Sequence, residues 1–412
     1  MSLQLNKSLL AIAIGIVVVS SFLYPSKACR FPAIYNFGDS NSDTGSVSAA
    51  FGRVPPPYGE TFFGKPSGRY SDGLLLIDFI AQSLGSPFLS AYLDSIESNF
   101  SHGANFAASG STVEPVNAKL YGAGFNPLSL NIQLLQFEQL KDRTEELYEH
   151  AKSDQIISNL PKPEDFSKAL YTLDSGQNDL HFGFETMSEK QVKGSIPYIV
   201  NRFALSIKTL YQRGARTFWI HNTGPIGCLP NFVISHPPLP ENTDENGCIK
   251  SYNDVAQEFN KQLKEEVSKL RTQLSNTSLV YVDIYSAKYS LISDAKQHGK
   301  NKELYMLGIL LGNCHFENLG TLSSLLGIAG FVNPLGYCCK HKGDSSLRCW
   351  DSKIVNGSVV FATSCDGPSK YISWDGIHWT EAANKWMANH ILDGSFSDPH
   401  VPLAKACLKP ML

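Results

Sequence analysis

The chain has no block of basic residues and almost no net charge. Its 35 Lys and Arg stand against 38 Asp and Glu, a formal charge of -3 over 412 residues. A nucleic-acid partner, which calls for a basic stripe, is therefore not expected. Beyond the N-terminus no stretch approaches the ~18 apolar residues of a spanning helix, so no stable membrane insertion is expected. Cysteine is sparse: nine residues, too few to staple a chain of this length into a disulfide scaffold. No paired CxxC spacing marks a zinc site, and neither a metal nor a cofactor is expected. No internal repeat and no Pro/Gly/Ser-rich linker divides the chain. What remains is globular composition, 42% hydrophobic and 18% charged, long enough to bury a large core.

The N-terminus sets the compartment. Met1–Lys7 carries one positive charge, Leu9–Val19 is apolar apart from Gly15, and Pro25 breaks the run. Ser26-Lys27-Ala28 then places small residues at the -3 and -1 positions of a cleavage site. Residues 1–28 read as a secretory signal peptide, and 29–412 as one domain. Secretion, to the extracellular space or the vacuole, makes the cysteines disulfide candidates. Cys228 and Cys248 bracket a polar loop and are the first choice for a bridge. Cys338, Cys339, Cys349 and Cys365 crowd a second polar stretch, where zinc is the rival reading, and an odd count leaves one thiol over. Asn99, Asn276 and Asn356 each open an Asn-X-Ser/Thr triplet and are candidate glycosylation sites.

Four short apolar runs, Ala33–Phe37, Ala169–Leu173, Thr217–Ile220 and Leu279–Ile284, read as strands covered on both faces. Helical patterns alternate with them over Gly73–Leu84, Ile196–Tyr211 and Tyr252–Leu274, the second closed by Gly214. A fourth, Thr380–Leu392, opens on a Thr N-cap followed by Glu381. Alternation of this kind predicts an α/β fold with a mostly parallel sheet. Segments near 142–166 and 286–350 read as insertions around that core.

The first strand runs straight into Gly38-Asp39-Ser40-Asn41. Parallel sheets place ligands at the carboxyl ends of their strands. Ser40 is thus a candidate nucleophile, although Ser in such a turn is commonly a cap. A nucleophilic Ser needs a base, and the base an orienting acid. Of the eleven histidines only His378 has an acid three residues earlier, Asp375, with Gly376 between them to close a tight turn. Oxyanion donors could come from the small-residue stretch Gly103–Ser111 and from Gly176-Gln177-Asn178-Asp179, just past the second strand. A rival mechanism pairs Asp43-Thr44-Gly45 with Asp174-Ser175-Gly176, as in an aspartic protease. The long helices and the missing strand before Asp43 speak against it.

Taken together, these segments resemble the plant GDSL esterase/lipase family of the SGNH hydrolase superfamily. The blocks are Phe37–Gly45, Asn105–Thr112, Gly176–Asp179 and Trp374–His378; Asn222–Cys228 and His378–Asn384 are similar to the early-nodulin-8-like subgroup. The match runs from about Phe31 to Ile391. Asn41 stands where the family name has Leu. The resemblance implies a three-layer α/β/α sandwich, flavodoxin-like in its sheet. It also implies a serine hydrolase in which Ser40, His378 and Asp375 form the triad. The Ser40 and Gly110 N–H groups and the Asn178 side chain would form the oxyanion hole. The implied substrate is a small or acetylated ester, handled by a monomer. The same triad would serve an acyltransferase passing its acyl group to a sugar acid or alcohol. A third possibility is a secreted binding or defence protein without turnover. No amphipathic lid marks a long-chain lipase.

Overall fold

The first strand, β1 (Ile34–Gly38), is built of residues that are all buried, so it can only sit in the interior of a covered sheet. A computed structural model, described for residues 29–96, 98–115, 126–150, 157–295, 330–331, 333–341, 343 and 347–407, places it there. The leader 1–28, Cys314 and most of the segment 286–350 lie outside the described residues.

After β1 come β2 (Gly103–Asn105), β3 (Leu170–Asp174), β4 (Thr217–His221) and β5 (Ser278–Val282), all parallel to their neighbours. Asn333–Tyr337 (β6) pairs with Tyr371–Ser373 (β9). Ser352–Val355 (β7) and Ser358–Phe361 (β8) form a hairpin. Ser397–Asp398 (β10) adds an antiparallel edge to β5. The central order is β10-β5-β4-β3-β1-β2. Apart from the added edge this is a doubly wound, flavodoxin-like sheet, and the strand order reverses between β1 and β3.

Side chains alternate across this sheet and define its two covered faces. Tyr35, Tyr171, Phe218 and Tyr281 point to one side and pack with α2 (Leu130–His150), α4 (Glu189–Gln212) and α5 (Lys250–Gln273). Ile34, Leu170, Trp219 and Val280 point to the other, against α1 (Leu76–Ser83) and α6 (Glu381–Ile391). The sandwich α/β/α expected from the sequence is thus observed.

The four expected strands and four expected helices all form, with shifted ends. Residue 284 opens a helix, 284–295, instead of closing β5. The helix expected from Ile196 begins at Glu189 and continues through Pro197. Pro breaks a helix by removing one N–H and crowding the preceding turn; here Val192, Ile196, Ile199 and Phe203 are buried on one face, and that burial outweighs it. β2 and β10, of three and two residues, are too short to show a period. Thr380 caps α6 as expected, its side chain accepting from Ala383 N–H.

Four disulfides join Cys29–Cys407, Cys228–Cys248, Cys338–Cys365 and Cys339–Cys349. The expected Cys228–Cys248 bridge is among them. The cysteines of the rival zinc reading are spent on two others. Among the described residues no helix is long and apolar enough to cross a membrane. Asn99, Asn276 and Asn356 are all exposed.

The Cys29–Cys407 bridge ties the two ends of the domain across 378 residues. Replacing both cysteines by Ser is expected to cost about 2–5 kcal/mol. Denaturant unfolding under non-reducing conditions measures this; an unchanged midpoint would show that the termini are held by packing alone.

Candidate active site

β1 ends at Gly38, whose backbone is clamped on all sides. Its N–H donates to Gln133 Oε1 at 2.9 Å. Its carbonyl accepts from Gln133 Nε2 at 2.9 Å, Ser111 Oγ at 2.7 Å and Ala108 N–H at 3.1 Å. A Cβ here would lie 2.4 Å from the Asp174 carbonyl, so only Gly lets β3 approach this closely. The chain then turns through Asp39 and Ser40. Asp39 Oδ1 accepts from Asn41 N–H at 2.9 Å and Asn41 Nδ2 at 3.0 Å, which closes the turn that carries Ser40.

A second buried carboxylate fixes the chain just beyond this turn. Asp43 accepts from the N–H groups of Gly45, Ser46 and Val47, and from Ser109 N–H at 2.8 Å. The Ser109–Gly110 loop is thereby tied to the Ser40 loop. Beneath both, a polar ladder crosses the three strands. Thr172 Oγ1 donates to Asn36 Oδ1 at 2.7 Å and Asn36 Nδ2 to Asn105 Oδ1 at 2.8 Å. Asn105 Nδ2 in turn donates to the Ser42 carbonyl at 2.6 Å and to Thr44 Oγ1 at 2.9 Å.

Asn178 is the second residue of α3 (Gln177–Thr186), immediately beyond β3. Its Nδ2 donates to the Ser111 carbonyl at 2.9 Å and, more weakly, to Asp39 Oδ2 at 3.3 Å. The acid beside it, Asp179, accepts from Val113 N–H and braces the same loop.

Asp375 and His378 face each other across the turn centred on Gly376, whose φ is 97°. His378 Nδ1 and Asp375 Oδ2 are 2.6 Å apart. Asp375 Oδ1 accepts from the His378 and Ile377 N–H groups at 2.8 and 3.0 Å. The Tyr58 hydroxyl donates to Asp375 Oδ2 at 2.7 Å. The Tyr70 ring lies 5.1 Å from the imidazole. Burial acts to raise the Asp375 carboxyl, but the His378 charge and N–H groups and the Tyr58 hydroxyl outweigh it and hold the acid ionised. Tyr58 and Tyr70, far from His378 in sequence, were not expected; no local pattern marks them.

Ser40, Gly110, Asn178 and His378 line one cavity of about 680 Å³. Asp375 stands behind His378, buried, as an orienting acid must. The rest of the wall includes Arg53, Tyr70, Glu185, Arg348 and Trp350. Arg348 and Trp350 flank Cys349, and the Cys338 and Cys339 N–H groups donate to the Trp374 carbonyl beside Asp375. The two neighbouring disulfides thus fasten the cavity wall to the Asp375 turn. Asp174, half of the rival protease pair, aligns in register with Gly38 and His221, while Asp43 is spent on backbone N–H groups. Among the described residues, the one group with the spacing for a metal is Cys228, Asp244 and Cys248, and its cysteines are disulfide-bonded.

Three buried acids here make stability depend on pH. Burial pushes Asp39 and Asp179 up to about 7 and Asp43 up to about 6. The native state therefore holds protons that the unfolded chain releases from about pH 4 upward, so stability falls as pH rises from 4 to 7. Asp375 acts oppositely, but below that window. Thermal unfolding is expected at a higher temperature at pH 5 than at pH 8; the reverse order would show that these acids are not raised.

Residues 34–391 match the family model described as GDSL-like Lipase/Acylhydrolase. A GDSL esterase/lipase of Arabidopsis thaliana is 46% identical over 383 residues, covering 92% of this chain and 90% of its own. An esterase of Hevea brasiliensis is 45% identical, covering 94% and 92%. The GDSL esterase/lipase ENOD8 of Medicago truncatula is 40% identical, covering 97% and 96%.

Proposed function

The chain belongs to the GDSL-like lipase/acylhydrolase family and is a serine ester hydrolase; on that premise we propose that it is secreted and cleaves small esters through an acyl-enzyme on Ser40. The observation that carries the reading is the Asp375–His378 pair opening on the same cavity as Ser40. Because Nδ1 of His378 is committed to Asp375, Nε2 is the nitrogen left to take the Ser40 proton. Ser40 Oγ then attacks the ester carbonyl. The negative charge that forms on the carbonyl oxygen is met by the Ser40 and Gly110 N–H groups and the Asn178 amide. The second hydrogen of Asn178 Nδ2, loosely held by Asp39 at 3.3 Å, is the one free to turn to it. Collapse expels the alkoxide, which takes the proton from the imidazolium. Water, deprotonated by His378, releases the acid and restores Ser40.

The lining mixes Arg53, Glu185, Arg348 and Asp351 with apolar Val47 and Ile377, which favours a short acyl group on a polar alcohol. Phe51, Gly52, Arg53 and Arg348 are exposed at the rim, so water reaches the acyl-enzyme; this favours hydrolysis over transfer to a sugar acid or alcohol. The N-terminal apolar segment, the four disulfides and the exposed Asn99, Asn276 and Asn356 support secretion with glycosylation.

Ser40→Ala is expected to lower kcat/KM on p-nitrophenyl acetate by about 10³-fold or more and to abolish labelling by a serine-directed phosphonate. Asn178→Ala should lower kcat by about 10²-fold with little change in KM. A folded Ser40→Ala protein that still turns over the ester would remove Ser40 from the mechanism.

A further inference from the structure

An ionised carboxylate offers about four lone pairs, and at Asp375 all of them are taken. Oδ1 accepts the N–H groups of Ile377 at 3.0 Å and His378 at 2.8 Å, both on its own turn. Oδ2 accepts from His378 Nδ1 at 2.6 Å and from the Tyr58 hydroxyl at 2.7 Å. The first three donors stand within three residues of the acid. The last comes from 317 positions away, so the turn cannot supply it.

Tyr58 is held as firmly as the oxygen it meets. Its side chain is wholly buried. Its ring meets Tyr70 edge to face at 5.7 Å and Trp374, the residue before Asp375, at 6.0 Å. The next residue, Gly59, donates its N–H to the Ser71 carbonyl at 2.9 Å, which ties the backbone beside Tyr58 to the strand of chain that carries Tyr70. Burial and the Asp375 charge push the phenol well above its ordinary range, so the hydroxyl keeps its proton and stays a donor. The Asp375 side chain is fully buried as well, so bulk water is shut out from the place the hydroxyl fills. Arg53, Val54 and Pro55, a few residues earlier, line the cavity in front of the triad. One short segment thus faces the substrate side and also reaches behind the acid.

We propose that Tyr58 is a positioning residue of the ester-cleaving site: its hydroxyl fills the remaining lone pair of Asp375 Oδ2 and keeps that oxygen aimed at His378 Nδ1 as an acceptor only. The turn fixes Oδ1, but the torsion that sets the plane of a carboxylate is soft. A small twist would leave Oδ1 on its N–H groups and swing Oδ2 off the imidazole. The Tyr58 hydroxyl opposes that twist from outside the turn. It also denies Asp375 a site for a proton. When His378 takes the Ser40 proton, the imidazolium faces an oxygen whose lone pairs both serve donors, so the proton stays on Nε2 for the leaving alkoxide.

The inference rests on the Ser40–His378 reading, and one set of variants separates the two. Hydrolysis of p-nitrophenyl acetate and the rate of phosphonate labelling at Ser40 are measured for the wild-type chain, Tyr58→Phe, Asp375→Asn and the double variant. Tyr58→Phe removes one oxygen and keeps the ring. It is expected to lower kcat by about 10- to 100-fold, with KM changed less than about threefold and labelling slowed in step. In the Asp375→Asn background the same change should cost less than about threefold, because a residue that acts through the carboxylate then has nothing to act through. A folded Tyr58→Phe protein with wild-type kcat overturns the proposal. So does an equal loss in both backgrounds, which would make Tyr58 a packing residue. Where Tyr58→Phe does not fold, proton NMR of the wild-type chain decides. The far-downfield Nδ1 proton of His378 is expected to cross-relax with a tyrosine hydroxyl proton bound to the same oxygen, and the absence of that signal overturns the proposal. A wild-type chain that neither labels nor hydrolyses would instead overturn the reading of Ser40.

Discussion

The site depends on the adjacency of β1 and β3. Parallel strands are joined by right-handed crossovers. The chain leaving β1 moves toward β2, and the chain leaving β3 moves toward β4, so their helices lie on opposite faces. Between the two diverging paths the carboxyl ends are left uncovered. Ser40 stands at the end of β1 and Asn178 at the end of β3, on the two lips of that crevice. Gly38, with no Cβ, lets β3 come close enough for those two lips to face each other.

Holding them there is a matter of satisfying buried polar groups. A parallel sheet covered on both faces is a poor place for Asn36, Asn105, Thr172 or a carboxylate unless each finds a partner. The ladder from Thr172 through Asn36 and Asn105 to Thr44 meets this need and also pins the loop after Ser40. Asp43 gathers four N–H groups from two separate loops. Slackening either interaction would leave polar atoms stranded in the core, so the loops around Ser40 are as constrained as the strands. The Asp375–His378 pair is held the same way, with Tyr58 taking up part of the carboxylate from a segment 317 positions away.

The other wall of the cavity is built differently. Among its described residues, the region from Asn333 to Cys365 has few buried apolar side chains beyond Cys338, Cys339, Cys349 and Ala362. Two disulfides take the place of a core there. They set Trp350 beside the His378 ring and Arg348 on the cavity wall without making that wall part of the sandwich. On the proposed reading, chemistry and specificity rest on different supports: the sheet carries Ser40 and Asn178, and a cross-linked strap carries the opposite cavity wall.

The sequence by itself determined the fold class, the four central strands, the main helices, and Ser40, Asp375 and His378 as candidates. These were legible because each signal is local. Burial on both faces leaves continuous apolar runs, a helix shows its period, and the Asp375–His378 turn spans four residues. What it could not show were β2 and β10, too short for a period, and helix α4 running back through Pro197, where burial overrides a local rule. Only the tertiary structure decided that Ser40, Gly110, Asn178 and His378 share one cavity, how the cysteines other than Cys228 and Cys248 pair, and that Tyr58 and Tyr70 belong to the site's surroundings. The cavity residues and the Tyr58–Asp375 pair are joined through space across tens to hundreds of positions, by burial and hydrogen bonds, and such interactions leave no periodic trace along a chain.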